Sequence, residues 1–184
     1  MDKKTLVYEF DGGQEYKSLY EEAGFIMAYY NSILKNPRKK VHPILTVLRF
    51  MLIYGGVMFV CGLFIALTGF STIISVALVT AGAIVFILFL KSYLAYKKFI
   101  EAAMTNNKHK IYTLSEERLA YKDPEKEFST EWDKIRYIVI NKYTVCFLPS
   151  NLNGVLYAIP VCHADEVKEF MNSINKEDIV VDNR

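Results

Sequence analysis

Charge is missing from the middle of this chain: no Asp, Glu, Lys, Arg or His occurs in residues 50–90, about forty positions, roughly twice what one helix needs to cross a hydrocarbon core. Cysteine and histidine are scarce too, with three of each. Cys61, Cys146 and Cys162 show no C-x-x-C spacing, so neither a disulfide framework nor a zinc site is indicated. His42, His109 and His163 show no H-x-x-x-H spacing, and no glycine-rich phosphate loop accompanies them, which argues against a metal or nucleotide enzyme. No catalytic residue, cofactor site or metal ligand is therefore assigned, and no cofactor is expected. A formal net charge of only +2 disfavours a nucleic-acid binder relying on a broad basic surface. The opening MDKKTLVYEFDGGQEYKSLYEE has no apolar h-region, so a cleavable secretory signal is not expected.

What is present in the charge-free run is apolar length. One helix over residues 50–90 would measure about 60 Å, twice the hydrocarbon thickness, and tilt cannot absorb that mismatch. Thr68-Gly69-Phe70-Ser71-Thr72 supplies the break, with a glycine suited to a helix C-cap and hydroxyls suited to capping the next helix. The expectation is two helices, over 44–67 and 73–96, forming a tight transmembrane hairpin, because helices this long in a soluble core alternate apolar and polar faces.

The flanks set an orientation. Lys35, Arg38, Lys39, Lys40 and Arg49 precede the first helix, Lys91, Lys97 and Lys98 follow the second, and the turn carries no charge. The positive-inside rule then places both termini in the cytoplasm. Arg49 and Lys91 can snorkel to one headgroup layer beside Tyr93 and Tyr96, and Arg38, Lys39 and Lys40 can touch anionic lipid. Gly62 with Ala66, and Ala77 with Ala81, form small-xxx-small pairs for hairpin packing or self-association. Pumps and ion pathways need ionisable groups at membrane depth, and the hairpin offers none.

Ahead of the hairpin, TLVYEF alternates as a short strand over 5–10. Apolar residues then recur at Tyr16, Leu19, Ala23, Ile26, Tyr30 and Ile33, an amphipathic helix over 16–34 closed by Asn36-Pro37, with Glu21 and Glu22 on its polar side. Its start is marked by Asp11-Gly12-Gly13. Few Lys or Arg lie on the polar face, which favours packing on protein over lying in the membrane interface.

After Met104 the period changes to alternation. Strands are expected over 110–114, 118–122, 127–132, 136–140, 143–148 and 155–161, separated by Ser115-Glu116-Glu117, Asp123-Pro124, Asn141-Lys142 and a turn from Pro149 through Gly154. Such short connections imply an antiparallel meander. A helix over 164–175 follows, with Val167, Phe170, Met171 and Ile174 on one face and Asp165 and Glu166 in its first turn. The fold class is thus an α+β membrane protein: a two-helix hairpin plus a cytoplasmic sheet domain in the pleckstrin-homology-like (PH-like) pattern, plugged by its last helix and completed by the N-terminal strand and helix. The expected domains are 1–42, 43–104 and 105–184.

FSTEWDKIRYIVINKYTVCFLPSNLNGVLYAIPVCHADEVKEFMNSI, residues 128–174, resembles the YcxB-like family of small bacterial membrane proteins. The resembling features are Ser129 with Trp132 and Ile135, the aromatic strand through Phe147, and Ile159-Pro160 before a helix bearing Phe170. Strand, arm helix and hairpin follow that family's order, although Val161-Cys162-His163 replace the basic residues looked for after the Ile-Pro pair. The resemblance implies a bacterial cell-membrane location and this architecture.

Reactive constellations are sparse. Cys162 and His163 are adjacent, so on a strand they point to opposite faces and do not form a nucleophile and base. Cys146 is expected to pack as a small apolar residue and Trp132 to anchor a strand. His42 and His109 sit among basic residues. What remains is binding: Tyr137, Tyr143 and Phe147 are candidates for a surface that meets a protein partner beside the membrane. The leading expectation is a membrane-anchored, non-catalytic interaction module that contacts membrane lipids, binds a protein partner and can self-associate through its hairpin. An immunity protein that neutralises a bacterial toxin and a lipid-sensing domain are the other readings.

Overall fold

The structure, a computed structural model, describes residues 5–11, 13–105, 109–151 and 156–184. It divides into two compact units, one formed by Met1–Val41 with Glu101–Arg184, the other by His42–Ile100. The expected glycine at position 12, the turn residue Gly154 and the strand start at Val155 lie outside the described residues. The architecture is α+β, with two long apolar helices and two sheets.

Taking the elements in chain order, β1 is Leu6–Phe10, α1 Lys17–Ala28, α2 Tyr30–Lys35, α3 Ile44–Thr68 and α4 Thr72–Thr105. In the second unit α3 ends where expected: Gly69 adopts φ 68°, a left-handed conformation that glycine enters without a Cβ penalty, and its N–H donates to the Ala66 carbonyl at 3.3 Å. The Ser71 hydroxyl accepts the Ile74 N–H at 3.4 Å at the start of α4. The second helix runs nine residues past the expected Tyr96, to Thr105, because YKKFIEAAMT contains no Gly or Pro to stop it.

The hairpin contact corrects the expected packing residues. Gly55, Gly62, Ser75 and Gly82 are its buried small residues, whereas Ala66 and Ala77 are exposed and Ala81 is half-buried. A Cβ on Gly82 would come within 2.6 Å of the Phe59 backbone nitrogen, one on Gly62 within 2.7 Å of that of Val79, and one on Gly55 within 2.9 Å of that of Phe86. The backbones therefore approach through glycine at a seven-residue spacing on α3, and the Ser75 hydroxyl donates to the Gly62 carbonyl at 2.9 Å across the gap. Arg49 meets Tyr93 across the hairpin, the guanidinium donating to the phenol at 3.3 Å.

The remaining elements build the first unit: β2 Lys110–Leu114, β3 Arg118–Lys122, β4 Glu127–Glu131, β5 Ile135–Ile140, β6 Thr144–Pro149, β7 Tyr157–Pro160, α5 Ala164–Ser173 and β8 Val180–Asp182. They form two four-stranded sheets, ordered β1-β2-β3-β4 and β7-β6-β5-β8. β1 completes the first sheet antiparallel to β2, with Phe10 opposite Lys110. Asp123 makes the β3–β4 turn by accepting the N–H groups of Glu125 and Lys126 at 2.8 and 2.7 Å.

Three expectations for this unit change. The meander is not continuous: a 3-10 turn at Trp132–Lys134 separates β4 from β5, pinned by the Trp132 indole N–H donating to the Ser115 carbonyl at 2.8 Å. The last expected strand ends at Pro160, and Val161–His163 form another 3-10 turn, so Cys162 and His163 do not lie on a strand. β8, which periodicity did not assign, pairs parallel to β5, with Ile138, Val139 and Ile140 opposite Val180, Val181 and Asp182.

Both faces of the second sheet are buried. Ile138, Ile140, Val145, Phe147 and Ile159 point into one core with Tyr8, Tyr112, Leu114, Leu119 and Trp132 of the first sheet, and Val167, Phe170 and Met171 of α5. Their alternates Val139, Cys146, Leu148 and Ala158 are also buried, on the face where α1 packs against β6 and β7. The arm helix thus packs on the sheet unit. It is broken at Tyr29 into α1 and α2, and the Tyr30 hydroxyl donates to the Pro149 carbonyl.

Glu22 corrects another expectation. Rather than facing solvent it is 3 % exposed, and its carboxylate accepts the Tyr143 N–H at 3.0 Å beyond the β5–β6 turn. Leu19, Phe25 and Ile26 lie three or four residues away, so Glu22 occupies the apolar face of the helix. Burial pushes its carboxyl above the usual carboxylate range, and the backbone N–H groups of Tyr143 and Thr144 offset part of that rise. A carboxyl with a raised folded pKa favours folding when protonated. Its contribution is therefore largest below the unfolded value of about 4.3, and falls as pH rises through the folded value. The expected result is that the thermal midpoint of wild type relative to Glu22→Gln, read by Trp132 emission, falls across that window. A pH-independent difference would show that Glu22 does not titrate in the fold.

Candidate functional site

With β1 at the opposite edge, β4 is an edge strand of the first sheet. Among the described residues its far side has no partner strand, leaving main-chain groups on a flank that also carries side chains. Beside it lies a hollow of about 440 Å³ lined by Phe128, Ser129, Thr130, Lys134, Pro149 and Tyr157, with Ser150 and Asn151 at its rim. The Thr130 and Tyr157 hydroxyls meet at 2.9 Å, tying β4 to β7 at the floor, while Phe128 is 38 % exposed. Lys134 is 3.0 Å from Glu131, so the local charge is nearly balanced. The chemistry on offer is a strand edge, hydroxyls and one aromatic face, which suits an extended peptide.

A second hollow of about 670 Å³ shares Ser150 and Asn151 with the first and opens at the α1–α2 break, where Met27 and Tyr29 are exposed. Lys39 lies 5.5 Å from the Tyr29 ring centroid and donates to the Ser32 hydroxyl at 2.9 Å. Of the basic cluster, then, Lys39 is engaged within this unit, while Arg38 and Lys40 are exposed. Lys91, Lys97 and Lys98 are exposed along α4, and Tyr96 is half-buried.

The candidate partner residues separate. Tyr143 is exposed beneath Lys142, and Tyr137 is half-buried beneath Arg136. Phe147 is fully buried against Trp132, with ring centroids 6.3 Å apart, so it cannot meet a partner; β6 is covered on both faces. Cys146 is fully buried, as expected of a small apolar residue, and burial pushes its thiol up to about 12. His163 lies under the Tyr8 ring, 4.4 Å between centroids, with its Nδ1 3.4 Å from a Glu166 oxygen, and Cys162 is exposed. His109 stands between Asp11 and Glu9 at 3.0 and 3.3 Å, and the Asp11 carboxylate raises its pKa. Among the described residues no group of three His, Cys, Asp or Glu side chains is placed to hold a metal ion.

The second sheet's edge at β5 is occupied by the chain itself. β8 covers it, and a cleft of about 410 Å³ between β8 and α5 is lined by Lys168, Glu169, Asn172, Glu177, Val180 and Asp182. Lys168 donates to Asp182, and Arg184 bonds Asp165 at 2.8 Å and Asp182 at 3.0 Å. Arg184 foremost, then Lys168, hold the Asp182 carboxyl well below the usual carboxylate range. Sequence periodicity found β4, expected over 127–132, but not that it is an edge, and it passed over β8 although Ile179-Val180-Val181 is a run of β-branched residues. No protein-family model matches the chain, and no curated protein or solved structure matches it.

Proposed function

We propose that this chain is a membrane-anchored, non-catalytic interaction module, of the YcxB-like type, that binds a protein partner at the inner face of the bacterial membrane. The observation that carries the reading is the β4 edge, which has no partner strand among the described residues, and the hollow beside it. Strand addition at such an edge supplies affinity through main-chain hydrogen bonds, and the hollow supplies selectivity for the side chains that fall beside Phe128 and Thr130.

Membrane insertion draws support from the hairpin. The most apolar windows of α3 and α4 are each only 11 % buried, with Phe50, Leu67 and Ile73 exposed along the two helices. A helix in a soluble core hides such residues. Pairing of β1 with β2 joins segments from before and after the hairpin in one fold, which supports a topology with both ends of the hairpin on one side. The basic flanks support the cytoplasm as that side. A PH-like reading draws support from the four-stranded sheet, the antiparallel strands β5 to β7, and α5 packing its apolar face into their shared core.

The test places a photocrosslinking residue at Ser129 in the intact chain in its native membranes, with Lys17 on α1 as the control position. The expected outcome is one dominant adduct of defined mass from Ser129, absent from Lys17, with its yield reduced several-fold by Phe128→Ala. Adducts from Ser129 that match the Lys17 pattern, or none, would sink the reading.

A further inference from the structure

We infer that the edge of β5 beside α5 is a second strand-accepting groove, which β8 fills from within the chain and which takes an extended partner segment of the same chemistry: β-branched apolar residues followed by a carboxylate. The seated strand defines that chemistry. Ile179 and Val180 pack against the common core, β8 adds in parallel to Ile138, Val139 and Ile140, and Asp182 receives the Lys168 ammonium. The Asn183 N–H then donates to the Ile140 carbonyl at 2.8 Å, extending the ladder by one bond.

Several features make β8 a removable occupant rather than an integral strand. It pairs over three residues, all half-buried or exposed, whereas β5 and β6 of the same sheet each have six. Parallel pairing is slightly less stable per residue than the antiparallel pairing used elsewhere in the two sheets. Besides one part-buried bond, the Asn183 side-chain amide donating to the Pro37 carbonyl at 2.8 Å, its side-chain fastenings are partly exposed ion pairs, Lys168 with Asp182 and Arg184 with Asp165, a kind that holds weakly and is screened by salt. The chain reaches it through Asn175 at φ 56°, a left-handed position at the end of α5 where direction changes sharply. The cleft beside it gives an incoming segment somewhere to start.

A covalently joined strand competes at an effective concentration on the order of millimolar, so a partner segment binds only where it outcompetes β8 or where the Asp182 latch is loosened. The groove is thus self-masked, in contrast to the open β4 edge, and the two can fail independently.

The experiment uses the intact chain in mild detergent and a labelled synthetic peptide of residues 177–184, EDIVVDNR. In Asp182→Lys protein the internal strand loses its Lys168 partner. The peptide is expected to bind that variant at least tenfold more tightly than wild type, and a peptide carrying D182K is expected to bind it at least tenfold more weakly than the wild-type peptide. Hydrogen exchange at Ile138 and Ile140, whose main-chain groups face β8, should rise at least tenfold in the variant and return towards wild type when peptide is added, with Val139, which faces β6, and β6 itself unchanged. Should Asp182→Lys lose the folded Trp132 emission, Asp182→Asn carries the same comparison. Failure of the peptide to bind a folded variant whose β5 exchange is unchanged overturns the proposal. So does a concentration-dependent doubling of mass with no competition by peptide, which would assign the groove to β8 of a second copy.

Discussion

Gly82→Leu is expected to drive the two hairpin helices apart, at a cost of about 3 kcal/mol, the upper end of what overpacking commonly costs. The Cβ alone would sit 2.6 Å from the Phe59 nitrogen and 2.8 Å from the Gly55 carbonyl oxygen, and both are backbone atoms that cannot rotate aside. Relief requires α3 and α4 to separate, which also strains the Ser75 to Gly62 hydrogen bond. Gly56, one residue from Gly55 but turned outward, has nothing within 4 Å of an added Cβ. Gly56→Leu should therefore shift stability by less than about 0.5 kcal/mol. Detergent titration of purified protein, followed by helical circular dichroism, checks the pair. Equal midpoints for the two variants would mean that the helices do not pack through Gly82.

Phe147→Ala is expected to destabilise the sheet unit by about 3–5 kcal/mol, the usual cost of removing a buried phenyl ring. The ring is wholly buried, in the row that joins Trp132 to the second sheet, and a cavity there faces Trp132 directly. The thermal midpoint read from Trp132 emission should fall by about 10–20 °C. Tyr143→Ala, two strand turns away and exposed, should leave it nearly unchanged. A folded Phe147→Ala protein with a normal midpoint would contradict the packing described for β6.

Where the sequence was legible, local chemistry and tertiary demand agreed. Gly69 ends α3 because a left-handed residue is needed there, and Lys110 to Leu114 and Arg118 to Lys122 are bounded by turn residues that make the observed bonds. Legibility failed where tertiary packing set the outcome. Small-xxx-small spacing proposed Ala66, Ala77 and Ala81, but which face of an all-apolar helix turns inward is decided by the partner helix, and that face carries Gly55, Gly62 and Gly82. Glu22 was read as solvated because it is a carboxylate, yet its helical position puts it among Leu19, Phe25 and Ile26, where the unpaired Tyr143 N–H needs an acceptor. Phe147 was read as a surface aromatic because nothing local reveals that β6 is covered twice. The candidate edges were harder still: β4 is distinguished by what does not pair with it, and β8 by three residues whose partner lies some forty positions back.

The pairing of β1 with β2 carries a consequence for biogenesis. Phe10 finds its partner at Lys110, so at ordinary rates of synthesis β1 waits about 5–20 s on the ribosome-bound chain before β2 exists. In that interval both hairpin helices are made, and α1 has no sheet to cover. On the proposed membrane-spanning reading, closing the first sheet is then a checkpoint on the hairpin. If only one of α3 and α4 were to cross a bilayer, β1 and β2 would be stranded on opposite sides and the sheet unit could not form. A nascent chain that inserts incorrectly would thus expose the unpaired edge of β2 and the apolar face of α1, features by which quality control can tell it from a finished molecule.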